Sequence, residues 1–119
     1  MDKRAQSMIK SPVSSPASRR PIPQSVIDRA AGMLSAAGDP ERLRILELLL
    51  NGEQQVSEIA GLTNAEMSTT SQRLRVLLKE NLVARRRSGR DIFYRLADSH
   101  VQTLIRNVLD HADPNATNC

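Results

Sequence analysis

The segment from Met67 to Leu96 constrains the fold most, because its side chains recur first at helical and then at strand spacing. Spacings of three, four and one residues place five side chains on one face of a predicted helix: Met67, Thr70, Leu74, Leu77 and Leu78. Another face carries only hydrogen-bonding and cationic groups: Ser68, Gln72, Arg75 and Lys79. Groups of these kinds contact base edges and phosphates in the major groove of DNA.

The second part of the segment predicts a basic β-hairpin. Ile92, Tyr94 and Leu96 fall on one face of its second strand, and Ser88-Gly89 marks the bend. Four arginines crowd the strands near that bend: Arg85, Arg86, Arg87 and Arg90. A helix with a polar face followed by a basic hairpin is the winged-helix arrangement for duplex DNA, and this is our main interpretation.

The positive charge is concentrated on the same segment. The whole chain carries a net charge of +4, and residues 1–24 alone account for +4. Residues 73–95 hold eight basic and two acidic side chains, a local charge of +6 that the rest of 25–119 balances. A neutral domain with its cations gathered on one element is typical of a polyanion binder. A solvated run of charges is the simpler alternative.

Length and composition exclude several classes of protein. A chain of 119 residues suffices for one small domain, and with 2% aromatic residues its core must be aliphatic. No apolar run is long enough for a membrane span, and no apolar region follows the N-terminal basic residues as in a secretory signal. The single cysteine, Cys119, provides no disulfide framework, as expected of a cytoplasmic protein.

The residues before the central segment predict an arm and two helices. Residues 1–23 are rich in Ser, Pro and basic residues, and we expect them to form a disordered arm. A helical stripe runs from Val26 to Ala37. Asp39-Pro40 then supplies the N-cap and the first residue of a second helix, which Asn51-Gly52 ends.

A short third helix, roughly Val56 to Leu62, leads into the helix that begins at Met67. Asn64 lies between them and suits the left-handed conformation of a turn. Two helices joined by a tight turn, the second with a polar exposed face, form a helix-turn-helix.

Asp98 or Ser99 caps the last helix, which runs to about His111, and Asp113-Pro114 stops it. The predicted fold is therefore mainly α with a β-hairpin wing, a winged helix-turn-helix of four helices, two strands and a last helix. We expect one DNA-binding and dimerisation domain over residues 24–113 and a tail over residues 114–119.

Three segments resemble the ArsR/SmtB family of winged-helix transcriptional repressors: DPERLRILELLL (Asp39–Leu50), SEIAGLTNAEMSTTSQRLRVLLKENLV (Ser57–Val83) and RRRSGRDIFYRLAD (Arg85–Asp98). The similarity runs without gaps over about residues 26–112. The D-P-x-R-L-x-I-L opening and the G-R-x-x-x-Y-x-L wing are specific in combination.

The resemblance implies a homodimer built through the first and last helices. Such a dimer binds a palindromic operator in double-stranded DNA, and an inducer at a separate site releases it. By position, the resemblance implies a recognition helix with Ser68, Ser71, Gln72 and Arg75 and a wing from Arg87 to Arg90. With their neighbours on the same elements, the predicted DNA contacts are Ser68, Thr69, Ser71, Gln72, Arg75, Lys79, Arg85, Arg86, Arg87 and Arg90.

The resemblance offers two kinds of inducer site that this sequence lacks. Many relatives bind arsenic, cadmium or lead through cysteines at the start of the third helix, and others sense oxidants through cysteine pairs. This chain has Gln55 and Ser57 at the former positions, and Cys119 is its only cysteine. A thiolate site of either kind is therefore absent.

A second family site lies on the last helix, with the pattern D-x-H, ten residues, then H-x-x-(H/E). Asp98, His100 and His111 occupy the matching places. The fourth place is Pro114, which cannot bind a metal, so the neighbouring Asp113 is the candidate fourth ligand; otherwise water would complete the shell.

The spacing of the histidines requires two chains. His100 and His111 are eleven residues apart, close to three helical turns, so both rings point the same way. About 16 Å along the axis separates them, too far to share one metal. In an antiparallel twofold dimer the two ends meet, and nitrogen and oxygen ligands of this kind suit Zn(II), Co(II) or Ni(II).

Other interpretations of the sequence stay open. The last helix serves only dimerisation if the repressor responds to a non-metal cue or to none, and an architectural DNA binder needs no inducer at all. An enzyme is disfavoured, because the sequence has no Gly-rich phosphate loop and no nucleophile–base pair. Single-stranded RNA binding is disfavoured too, since one Phe and one Tyr make no stacking platform.

Overall fold

A computed structural model describes residues 20–116, and the helices and strands lie close to where the sequence predicts them. Within that range the elements are α1 (Gln24–Ala37), α2 (Pro40–Leu49), β1 (Gln54–Gln55), α3 (Val56–Thr63), α4 (Met67–Lys79), β2 (Val83–Ser88), β3 (Asp91–Leu96) and α5 (Ser99–Ala112). The predicted winged helix-turn-helix order is confirmed, with the short strand β1 as an addition.

Side chains at the helix ends explain the boundaries. Asp39 caps α2, since its Oδ2 accepts hydrogen bonds from the backbone nitrogens of Glu41 at 3.1 Å and Arg42 at 3.0 Å. Asp98 caps α5 in the same way, with its Oδ1 accepting from the Val101 nitrogen at 3.0 Å. Asn64 ends α3 in the left-handed region, at φ 55° and ψ 46°, as predicted.

The wing belongs to a three-stranded antiparallel sheet of order β1-β3-β2. Ser88 pairs with Asp91 at the end of the hairpin, and Gly89 adopts a φ of 65° in the bend between them. On the other side of β3, Gln54 pairs with Tyr94 and Gln55 with Phe93. The wing is therefore attached to the helix-turn-helix through β1, immediately before α3.

The core is aliphatic, as the composition predicts, with Tyr94 as its one buried aromatic ring among the described residues. Its fully or almost fully buried members come from every helix and from the wing: Ala36, Ala37, Ile45, Leu46, Leu49, Ile59, Leu74, Leu77, Leu82, Val83, Tyr94, Leu96, Val101 and Ile105. Two expectations are wrong in part. Val26, Ile27 and Leu34 of the α1 stripe are exposed, and so is Met67 of the α4 stripe.

Two predicted segments lie partly outside the described range. Of the expected arm, residues 1–19 are not described, and residues 20–23 are exposed and have no helix or strand. Of the expected tail, residues 117–119 are likewise not described. Within residues 20–116, no helix combines the length and the hydropathy that crossing a membrane requires.

Candidate nucleic-acid interface

Helix α4 presents an exposed polar row opposite a buried one. The row consists of the four residues predicted from helical spacing, all of them exposed: Ser68, Gln72, Arg75 and Lys79. On the other side Thr70, Leu74 and Leu77 are buried. The buried hydroxyl of Thr70 is satisfied, because it donates to the carbonyl oxygen of Glu66 at 2.9 Å. The helix is thus fixed by its apolar side with its hydrogen-bonding groups facing outward.

A cleft separates the start of α4 from the wing. It has a volume of about 380 Å³, and Ser71 and Arg90 line it from opposite sides. Ser71 and Thr69 are half-buried at the flank of the polar row, whereas Arg90 is exposed at the tip of the wing. The structure therefore brings the start of α4 and the wing tip to one surface.

Three consecutive arginines of β2 lie on two different faces of the sheet. Cross-strand partners share a face, and Arg85 is opposite Tyr94 while Arg87 is opposite Ile92. Arg86 is opposite Phe93 and so points to the other face. All three arginine side chains are exposed.

Arg86 is held by contacts within the protein. Its Nε and one terminal nitrogen donate to the two carboxylate oxygens of Glu53, each at 2.8 Å, in a bidentate pair. The guanidinium carbon also lies 4.6 Å from the centroid of the Phe93 ring, a cation–π contact. The hydrogen bonds from Arg86 hold the pKa of Glu53 below its ordinary value of 4.5, and Glu53 raises the pKa of Arg86.

Arg86 therefore stays a prediction as a DNA contact, since two of its nitrogen atoms already donate to Glu53. Sequence reasoning missed Glu53 as its partner, because the two residues are 33 positions apart and nothing local links them. Period-two alternation is the one available signal, since it separates Arg86 from Arg85 and Arg87.

The four predicted metal ligands lie at the two ends of α5. Asp98 and His100 are close at the N-terminal end, with Nδ1 of His100 at 3.8 Å from Oδ1 of Asp98. His111 is in the last turn, and Asp113 is the C-cap, where its Oδ1 accepts from the Asn115 nitrogen at 2.8 Å. Within residues 20–116 of a single chain, no three His, Cys, Asp or Glu side chains are grouped closely enough to hold a metal.

Most of the exposed large apolar side chains belong to the first and last helices. Among residues 20–116 there are seven: Ile22, Val26, Ile27, Leu34, Leu62, Met67 and Val108. Four of them lie on α1 or just before it, and Val108 lies on α5. These two helices thus carry the apolar surface that a monomer leaves in water.

The chain is similar in sequence to known regulators. A sequence model described as "Bacterial regulatory protein, arsR family" matches residues 39–85. The transcriptional repressor SmtB homolog of Synechocystis sp. is 42% identical over 81 residues, which are 68% of this chain and 61% of that protein. The transcriptional regulator NmtR of Mycobacterium tuberculosis is 37% identical over 93 residues, 78% of each chain. The chain belongs to the ArsR/SmtB family.

Solved structures similar to this ArsR/SmtB family member share its fold. The homodimeric winged helix-turn-helix DNA-binding domain Mb0332 of Mycobacterium bovis superposes with a TM-score of 0.75 at 32% identity, covering 85% of this chain and 94% of that one. NolR of Sinorhizobium fredii gives 0.68 at 30% identity, covering 79% and 97%. Helices α3 and α4 are thus the DNA-binding helix-turn-helix of the family. The relatives are transcriptional regulators, which confirms that the chain is not an enzyme.

Proposed function

We propose that this ArsR/SmtB family member is a dimeric, sequence-specific repressor that binds a palindromic operator in double-stranded DNA and acts in the cytoplasm. The observation that carries the proposal is the exposed polar row of α4 beside the basic wing, with the apolar side of α4 buried. Gln72 and Arg75 supply the donors and acceptors that read base edges. Ser68, Lys79, Arg85, Arg87 and Arg90 supply phosphate contacts that fix the register.

The dimer follows from the apolar surface of the terminal helices. A twofold axis lets the same patch on α1 and α5 cover itself, so that Leu34 and Val108 leave water on both chains at once. In such a dimer the two recognition helices lie about 34 Å apart and enter successive major grooves. A palindromic operator presents the same half-site to each of them. A single chain therefore binds the operator with low affinity.

Arg75→Ala tests the DNA-contact surface. We expect it to weaken operator binding by about 1–3 kcal/mol, because an arginine that bonds a base edge is lost from each recognition helix. Binding is measured by fluorescence anisotropy at several salt concentrations. Arg44→Ala is the matched control, since Arg44 is exposed on α2 and pairs there with Glu47 at 3.1 Å. Equal affinities for Arg75→Ala and Arg44→Ala would refute this placement of the recognition surface.

The cue that we propose is a divalent ion of the Zn(II), Co(II) or Ni(II) kind between the last helices of two chains. Asp98 and His100 at one end of α5 would hold it together with His111 and Asp113 of the partner subunit. The donor set fits, because both imidazoles are exposed, and within residues 20–116 the second oxygen of each carboxylate accepts no hydrogen bond. Imidazole and carboxylate ligands suit these borderline and hard ions.

When bound, such an ion supplies a link between the two chains. In this proposal the operator-bound and released dimers differ in how the α5 helices pack. The coupling is reciprocal, so the operator weakens binding of the ion by the same factor by which the ion weakens operator binding. Asp98 has a second task in either state, because its carboxylate caps α5.

His100→Ala and His111→Ala test this cue. Both variants are expected to bind the operator as the unmodified chain does and to lose the weakening caused by added Zn(II). Calorimetric titration of the pure dimer with Zn(II) gives the direct readout. Gln102→Ala, which changes another exposed residue of α5, serves as the control. A response to Zn(II) retained in both histidine variants would remove the site.

Pro114 favours a second candidate, a repressor of the same fold that responds to a non-metal cue or to none. This residue stands three positions after His111, where it can provide no ligand, and Asp113 is already part of a turn. In that case α5 serves only dimerisation. Absence of Zn(II) binding by a dimer that binds its operator would select this candidate.

A further inference from the structure

Met67 is an apolar side chain exposed at the position where a recognition helix meets DNA. It is the first residue of α4, and 52% of it is exposed. Its helical spacing predicts burial with Leu74 and Leu77, which are both completely buried. Among the described residues of α4, every other exposed side chain is polar or charged.

The surroundings of Met67 leave it open to a ligand from outside. It lines the 380 Å³ cleft between α4 and the wing, beside Ser71 and across from Arg90. Val56 and Ile92 contribute apolar surface to the same cleft. Both are partly buried, so the side chain of Met67 has an apolar backing behind it and water in front of it.

The N-terminal residues of a recognition helix are those that touch base edges in the major groove. Met67 has no donor and only a weak sulfur acceptor, so it is poorly suited to read any base by hydrogen bonds. Thymine alone among the four bases presents a methyl group in that groove. A flexible thioether is well suited to pack against such a group.

We propose that Met67 is a specificity-determining residue that contacts the 5-methyl group of a thymine in each operator half-site. This inference rests on the proposed function as a sequence-specific binder of duplex DNA. Ser71 and Arg90 flank Met67 in the cleft, and they hold the neighbouring phosphates and base edges in place around the methyl contact.

Deoxyuridine provides the test, because it lacks only the methyl group of thymidine. A preferred duplex is first selected from a random library with the full chain. Each thymine of one half-site is then replaced singly by deoxyuridine. At one or two positions we expect a loss of affinity of roughly fourfold, the effect of burying one methyl group. In Met67→Ala the same replacements are expected to have no effect, and in Met67→Leu the loss is retained.

Leu62→Ala is the matched control, because Leu62 is 62% exposed but lies on α3. It should keep the full sensitivity to deoxyuridine. If Met67→Ala does not fold, as judged by circular dichroism, Met67→Gln takes its place and is also expected to lose the sensitivity. Equal sensitivity in the unmodified chain and in Met67→Ala (or its replacement Met67→Gln), or none in either, overturns the inference while leaving DNA binding intact. Failure to select any preferred duplex overturns the proposed function itself, and the inference with it.

Discussion

The contact with Glu53 distinguishes Arg86 from Arg85 and Arg87, although all three side chains carry the same charge. Arg85 and Arg87 are on the face opposite to Arg86, and only Arg86 forms a bidentate pair and stacks on Phe93. Charge alone does not distinguish the three. We infer that Arg86 braces the wing and that phosphate contacts from β2 come mainly from its two neighbours.

Glu53→Gln tests this brace through its pH dependence. The pKa of Glu53 is lower in the folded chain than its ordinary value of 4.5, so the pair stabilises the fold above that pH. The stabilisation is lost as the pH falls through the lower, folded-state pKa. Thermal unfolding of the chain and of Glu53→Gln should therefore differ at neutral pH and converge in acid. The difference is small, because both side chains are in contact with solvent.

Arg86→Ala provides the control for this measurement. In that background Glu53→Gln should change the unfolding temperature by much less at any pH, because the partner is already absent. Additive effects of the two substitutions would contradict the proposed brace.

At the scale of elements, the cap of α2 is the clearest local determinant. Asp39→Ala removes the acceptor of two backbone hydrogen bonds, and we expect it to lower the free energy of unfolding by about 1 kcal/mol, within a range of 0.5–2. Urea denaturation measures this change. Asp39→Asn keeps an acceptor oxygen and should cost much less, so an equal loss in both variants would argue against capping as the cause.

Local patterns explain why the sequence predicts the helices and the hairpin. Asp39, Asn64 and Asp98 act on backbone groups within a few residues, and the stripe of α4 repeats with the period of one helix. Strand β1 has only two residues and so no periodicity, and its pairing with Tyr94 and Phe93 depends on the completed fold. Sequence reasoning therefore misses it.

The candidate site likewise has features that local patterns predict and features that they do not. The exposed row of α4 follows from helical spacing, and the exposed arginines follow from the charge count. The pairing of Glu53 with Arg86 and the exposure of Met67 depend on how the wing packs beside α3 and α4. Such contacts join distant parts of the chain, and no local pattern encodes them.

At the scale of the whole molecule, we propose that the apolar faces of α1 and α5 form the interface of the dimer. Leu34→Asp places a charge on this surface in both chains of the proposed dimer. Because Leu34 is already partly buried in one chain, we expect the loss of its burial to cost up to about 1.5–3 kcal/mol per chain, with the cost of the carboxylate in addition, and so to shift the protein toward the monomer. Sedimentation at several concentrations gives the distribution.

Leu62→Asp is the matched control for that experiment. Leu34 and Leu62 are similarly exposed, at 57% and 62%, but Leu62 lies outside the two terminal helices. It should leave the dimer unchanged. Dissociation by Leu62→Asp, or a stable dimer with Leu34→Asp, would place the interface elsewhere.

The pairing of β1 with β3 also bears on the energetics of association. The pairing with β1 and the Glu53 carboxylate already hold the wing in place in the free protein. The wing therefore loses little conformational entropy when it binds DNA. A hairpin that became ordered only on the duplex would add its own burial to the heat-capacity change of binding. For this protein, we expect the heat-capacity change of binding to equal the value calculated from the surface that two rigid partners bury.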